Sequence, residues 1–229
     1  MEIPNPIIKA TFIKRLNRFE ANVDVNGSTT LVHVPNSGRC KELFIPGAEV
    51  YIEIRQRPGR KTPYELCYVK KSHRLISIDS SIPNKLVYEA LLQKRMDAFA
   101  VYDDIQREKV YGDSRLDIML RKGKDICYME VKGVTLEENG VAMFPDAPTQ
   151  RGVKHVNELI KIKEKGMRAA IIFVIQMDDI KHFTPNDRTD PEFGAALRLA
   201  TSKGVEAYAY TCNVDLGSIS IKDMVEIML

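Results

Sequence analysis

The chain has no tryptophan, and aromatic residues make up only 7% of it. A carbohydrate- or nucleotide-binding module needs clustered aromatic faces, so that class has little behind it. Long apolar runs are missing too. Nothing approaches the ~20 consecutive residues of a membrane-spanning helix, and no membrane partner is expected. The opening Met1-Glu2-Ile3-Pro4 lacks the basic and apolar regions of a secretory signal, so the expected location is cytoplasmic. Cysteine is scarce and scattered: Cys40, Cys67, Cys127 and Cys212 form no CxxC pair. That spacing indicates neither a zinc knuckle nor a disulfide framework. Each lies in or near an apolar segment and reads as a reduced, mostly buried thiol. Internal repeats and low-complexity segments are absent.

What is present is ordinary for a globular protein: 229 residues, 44% apolar and 28% charged. The net charge of +3 is unevenly spread. Residues 1–80 carry 13 Lys and Arg against 8 Asp and Glu, whereas residues 81–229 carry 21 against 23. A basic first third beside a slightly acidic remainder suits a nucleic-acid-gripping module joined to a metal-binding one. A solvated basic surface would give the same totals.

Residues 1–80 read as all-β. Alternating or β-branched runs occur at 9–16, 18–25, 29–34, 50–55, 65–71 and 75–78, and Asn26-Gly27 is a strong hairpin signal. That many short strands in this length predict a small closed barrel of the OB type. Two Gly/Pro-containing basic loops would flank its nucleic-acid face: Pro35-Asn36-Ser37-Gly38-Arg39 and Arg55-Gln56-Arg57-Pro58-Gly59-Arg60-Lys61. Candidate DNA contacts are Asn36 and Arg39 in the first loop and Arg57, Arg60 and Lys61 in the second. The second loop reads equally well as a solvated hairpin tip.

After Ser80-Ser81-Ile82-Pro83 the pattern changes. Asn84 is a possible cap for a helix with stripe Leu86, Val87, Ala90, Leu91 and Leu92. Strands are predicted at 105–111, 115–120 and 126–131, then a long loop from Leu136 to Pro148. Thr149 would cap a second helix that stops at Gly166. The wholly apolar 169–175 run should be a central strand, Asp190-Pro191 should open a third helix, and 205–210 a last strand. The predicted order from residue 84 is α-β-β-β-α-β-α-β.

Two of these strands carry charge where a strand prefers none: Ser114-Arg115-Leu116-Asp117 and Tyr128-Met129-Glu130-Val131-Lys132. Side chains alternate along a strand, so Glu130 and Lys132 share a face while Val131 points to the opposite layer. Two carboxylates and an ammonium converging there would form a divalent-metal site equipped for phosphodiester hydrolysis. Carboxylates among Leu, Ile, Met, Cys and Val cost desolvation energy unless a cation or hydrogen bonds compensate. Glu89, in the preceding helix, is a further acid that could face the same site. The pattern alone also fits two exposed acids on a solvated sheet face.

Ser-Arg-Leu-Asp at 114–117, the Glu-Val-Lys strand, and Phe144-Pro145-Asp146-Ala147-Pro148-Thr149-Gln150-Arg151-Gly152-Val153-Lys154-His155 together resemble the sugar fermentation stimulation protein A family. The Pro35-Asn36-Ser37-Gly38 loop matches as well, and the resemblance runs from about Pro6 to Tyr210. It implies a mixed α/β (α+β) chain: an OB-fold-like barrel over 1–80, then a PD-(D/E)xK nuclease-like α-β-β-β-α-β domain over 81–229, with DNA as partner. The family's name records a link to maltose-type sugar metabolism, interpreted as regulatory. Carried over, Asp117 and Glu130 are the two acids and Lys132 the lysine of the nuclease signature, whose proline is replaced by Leu116. The implied cofactor is Mg²⁺ or Mn²⁺, held by Asp117, Glu130 and the Val131 carbonyl. Glu89 would be a water-mediated or second-metal ligand. In the first turns of the Thr149 helix, Arg151 and Lys154 are well placed to hold phosphates, and His155 is a further candidate nucleic-acid residue that could assist the chemistry.

Two functions follow. One is a Mg²⁺-dependent deoxyribonuclease, since a pure binder needs no intact Asp117/Glu130/Lys132 set. The other is a non-catalytic DNA-binding transcriptional regulator on a nuclease scaffold. A dimer would let two sites address two strands, but no interface patch is legible in the sequence.

Overall fold

In the structure, a computed structural model, the described residues are 1–55, 59, 61–112 and 114–229. Arg57 and Arg60, both candidate DNA contacts, lie outside them. The first six strands are β1 (Ile7–Arg15), β2 (Glu20–Val25), β3 (Ser28–His33), β4 (Glu49–Ile54), β5 (Tyr64–Lys71) and β6 (Arg74–Ser77). They arise where the alternation placed them. In β2, for example, Ala21 and Val23 are buried while their neighbours are not, and Asn26 and Gly27 take the positive φ that a tight hairpin needs. Strand β1 pairs with both β2 and β4, β2 with β3, and β4 with β5. A parallel bridge from His33 to Glu65 joins β3 to β5 and closes a five-stranded barrel. This is the OB connectivity, and closure removes the exposed edges an open sheet would leave.

Helix α1 (Ile82–Leu92) follows, then β7 (Asp104–Tyr111), β8 (Ser114–Lys122) and β9 (Asp125–Val134). The predicted loop from Leu136 to Pro148 instead contains a small hairpin, β10 (Leu136–Glu138) and β11 (Val141–Phe144), turned at Asn139-Gly140. Strands of three and four residues are too short for a periodicity signal. Helix α2 (Gln150–Glu164) is capped by Thr149, whose hydroxyl accepts from the Gly152 N–H at 3.0 Å. Then come β12 (Arg168–Ile175), β13 (His182–Pro185), α3 (Pro191–Ser202), β14 (Glu206–Asp215) and β15 (Ser218–Ile227). Strands β13 and β15 were not foreseen; β15 carries little apolar alternation, and its pairing with β14 and β13 defines it.

These nine strands form one sheet ordered β10-β11-β13-β15-β14-β12-β9-β8-β7. Its centre, β12, runs parallel to β9 and β14 and is buried on both faces. Ile171, Phe173 and Ile175 pack toward α2 and α3, while Ala170, Ile172 and Val174 pack toward α1. The barrel is tied to this sheet by backbone and side chain. Ser77 N–H donates to the Gln176 carbonyl at 3.0 Å, and the Gln176 amide donates to the Ser77 carbonyl at 2.7 Å. Asp146 accepts from the Cys40 N–H at 3.1 Å. Gly38 sits at this seam, where a Cβ would come within 2.8 Å of the Asp146 carboxylate. All four cysteines are free and buried. Among the described residues, no helix is long and apolar enough to cross a membrane.

Candidate active site

The antiparallel ladder between β8 and β9 runs from Lys122↔Asp125 to Ile118↔Met129. Just beyond the last pair stand Asp117 and Glu130, in the fork where the strands part. The Val131 N–H, which would otherwise face a missing ladder partner, donates to Asp117 Oδ2 at 2.8 Å. A strand residue projects its N–H and C=O toward the same neighbour, so the Val131 carbonyl points into the fork as well. The other Asp117 oxygen accepts from the Asn84 side chain at 2.7 Å. Asp117 is thus held rigidly from two sides.

Glu130 faces α2 and is only 2% exposed. Its Oε1 accepts from Lys132 Nζ at 2.5 Å and is in close contact with His155 Nδ1. Its Oε2 is buried without a hydrogen-bond partner. Such an oxygen, still carrying its lone pairs in a dry place, is costly unless something positive meets it. Burial and then the charge of Glu130 push the Asp117 carboxyl above its usual range, against the Val131 N–H, Lys132 and Asn84. Burial works the same way on Glu130, but the His155 hydrogen bond and the Lys132 charge prevail and hold it below its usual range.

Asp117, Glu130, Val131 and Lys132 therefore converge, and Val131 packs into the α1 layer as the alternation required. Glu89 does not join them. Its carboxylate pairs with the Met1 ammonium at 3.2 Å and takes a 3.3 Å bond from Gln93. Helical geometry explains this: Asn84 faces Asp117, and five residues on, the helix has turned by about 140°. Asn84 itself is no cap. The helix starts at Ile82 with Pro83 in its first turn, which brings Asn84 inside it. The signal was available in Ser81-Ile82-Pro83, because proline favours the first helical position.

Among the residues expected to touch DNA, Arg151 and Lys154 are exposed on the first two turns of α2. His155 is instead buried against Glu130, with Arg151 Nε 3.4 Å from its Nε2. It orients a carboxylate and does not reach a phosphate. Asn36 is also drawn inward; its amide donates to the Ile78 carbonyl at 2.7 Å and its oxygen accepts from the Gly38 N–H at 2.7 Å. Arg39 is exposed. Lys61 is exposed and pairs with Glu20 at 2.9 Å.

A second grouping of possible ligands, Glu53, Glu65 and Cys67, lies in the barrel. Arg55 already engages it, at 2.7 Å from Glu53, in close contact with Glu65 and 3.8 Å from Asp79. Burial and then the Glu53 charge push the Cys67 thiol up, so it stays protonated and donates to Glu53 at 3.4 Å.

Residues 13–78 match the family model described as "SfsA N-terminal OB domain", and residues 81–218 the one described as "Sugar fermentation stimulation protein RE domain". The chain is 63% identical over 230 residues to the sugar fermentation stimulation protein homolog of Thermoanaerobacter sp. (strain X514), covering 100% of both. It is 52% identical over 228 residues to the Clostridium botulinum (strain Kyoto / Type A2) homolog, covering 99% of each. The solved structure of Pyrococcus furiosus SfsA in complex with Ca²⁺ matches with a TM-score of 0.90 at 29% identity over 100% of both chains.

Proposed function

The chain belongs to the sugar fermentation stimulation protein family, and from that premise we propose that it binds DNA and hydrolyses its phosphodiester bonds with Mg²⁺ or Mn²⁺. The observation that carries this reading is the buried, unpartnered Glu130 Oε2 beside the fixed Asp117 carboxylate. Hard divalent cations take oxygen ligands, and Asp117, Glu130 and the Val131 carbonyl are such a donor set. The relative from Pyrococcus furiosus, solved in complex with Ca²⁺, lends support, since Ca²⁺ prefers the same ligand type.

When bound, the cation supplies Lewis acidity that lowers the pKa of water and offsets charge on the scissile phosphate. The protein supplies position. Asn84 and the Val131 N–H fix Asp117, while His155 fixes Glu130 through Oε1 and leaves Oε2 for the cation. Lys132, on the same face as Glu130, offers Nζ protons to orient the attacking water and to balance phosphate charge. Arg151 and Lys154 hold phosphates along the approaching strand from the start of α2.

The test is cleavage of plasmid and of single-stranded DNA with Mg²⁺, with Mn²⁺ and with EDTA. Cutting is expected only with metal, and is lost in Asp117→Ala and Lys132→Ala while DNA affinity stays. Binding with no cutting above the Lys132→Ala level would move the chain to the second reading, a regulator on a nuclease scaffold.

A further inference from the structure

The connection between β1 and β2, Leu16-Asn17-Arg18-Phe19, carries exposed groups that neither the metal site nor the barrel core uses. Phe19 is 47% exposed. Its ring stacks beside His33, with centroids 6.3 Å apart and planes 20° from parallel. The Arg18 guanidinium lies 5.5 Å from the ring centre. The β1–β2 and β4–β5 connections of an OB barrel are the ones that grip ligands; here the second contributes Lys61, next to Glu20 and His33. Glu20, beside them, is engaged by Lys61 and Asn17.

Arg15 locks the arrangement in place. Its guanidinium donates to the carbonyls of Asn17, Arg18, Asn36, Gly38 and Arg39, at 2.6 to 3.2 Å. This pins the β1–β2 connection to the Pro35–Arg39 loop, so Arg18 and Arg39 flank one open depression of about 390 Å³. Arg18, Ser37 and Gly38 also line a second cleft, of about 290 Å³, between barrel and sheet. That cleft reaches Gly133, adjacent to Lys132, and Thr149, the cap of the helix bearing Arg151 and Lys154. The depression and the cleft share Arg18, Ser37 and Gly38, so together they form a groove running from the β1–β2 connection, beside Phe19, toward the strand that carries Lys132. Gln176 lines it with an Oε1 that is buried and has no partner, while the rest of its amide is fixed on Ser77.

We propose that this groove threads single-stranded DNA to the active site, with a base stacked on Phe19 and Arg18, phosphates on Arg18 and Arg39, and an unpaired nucleotide in the barrel–sheet cleft. The inference rests on the nuclease reading for its destination, but the binding stands on its own observations. An aromatic face beside a guanidinium is a stacking platform, and it can serve only bases freed from a duplex. A cleft of this size admits one nucleotide and excludes a double helix. The Gln176 oxygen, an acceptor, meets the ring N–H or exocyclic amine of a base.

The chain has no tryptophan, so Phe19→Trp places its one tryptophan on the platform, where it can be excited selectively over the tyrosines. In EDTA, with the full-length protein, a mixed-sequence single-stranded oligonucleotide should quench it, and its duplex should not. By anisotropy, Phe19→Ala should lose about tenfold in single-strand affinity and less than twofold for duplex. Arg18→Ala should weaken binding and lower the salt slope by about 0.7. Unchanged single-strand affinity in Phe19→Ala, or duplex bound as tightly as single strand, would overturn the proposal. Tighter binding of the matching RNA would overturn DNA as the occupant. Quenching without any metal-dependent cutting would remove the nuclease reading and leave the groove standing. Cutting undiminished by Phe19→Ala would do the reverse.

Discussion

Two clusters of buried carboxylates, one in the barrel and one in the sheet, use similar residues to opposite ends. In the barrel, Glu53, Glu65 and Asp79 are each at most 3% exposed and share the guanidinium of Arg55. Asn5 adds a 2.5 Å bond to Glu53. In the sheet, Asp117 and Glu130 have Lys132 as their cation, but Lys132 and His155 both meet the same Glu130 oxygen. The other oxygen is left open. Arginine's planar fork reaches several carboxylates at once; lysine is a point charge and satisfies one. A closed cluster holds a fold together, and an open one is equipped to receive a cation from outside.

The comparison breaks first, and hardest, at the two cations. Arg55→Met removes the guanidinium that three buried acids share and should cost about 3–5 kcal/mol of stability in urea unfolding. Lys132→Met should cost much less, because His155 still holds Glu130, yet abolish cleavage. A next probe is Asn84→Ala, which frees one side of Asp117. Removing a group that orients a ligand typically lowers metal affinity or activity about 10–100-fold, and titration calorimetry with Mn²⁺ would read it. Third, Mg²⁺ at roughly ten times its Kd should add about 1.4 kcal/mol of stability. That gain should vanish in Glu130→Gln and persist in Glu53→Gln, which would sharpen the contrast between open and closed clusters.

The smallest effect is in pH. Burial tends to raise Glu53, but Arg55 and Asn5 prevail and hold it below its usual range. Its contribution is fully present above the unfolded glutamate value of about 4.3 and is lost as pH falls through the lower folded value. Asp117 has the opposite sign. Its folded pKa lies above the unfolded one, so its ionisation weakens the fold at neutral pH and ceases to do so in acid. Asp117→Asn should therefore be slightly more stable than wild type at pH 7, with no such gain at pH 3, by thermal unfolding in EDTA.

Much of this was legible beforehand because it depends on local pattern. Alternation located the first six strands within a few residues, and Thr149 and Asp190 marked the starts of α2 and α3. The acid–acid–lysine set could be read because charge in an apolar strand is conspicuous. Glu89, His155 and Asn84 were misjudged for a shared reason: what a helix residue faces depends on where the helix begins and which layer it covers. Arg18 and Phe19 gave no signal as an isolated pair in a short connection.

The sequence by itself determined β1 to β9, β12 and β14, the caps of α2 and α3, and the presence of two acids and a lysine on adjoining strands, since each follows from spacing along the backbone. Tertiary structure alone decided which Glu130 oxygen stays open, that Asn84 steadies Asp117, and that the β1–β2 connection is pinned to the Pro35–Arg39 loop by Arg15. Those facts depend on groups far apart in sequence arriving within hydrogen-bonding distance, and only the closed barrel packed against the sheet brings them there.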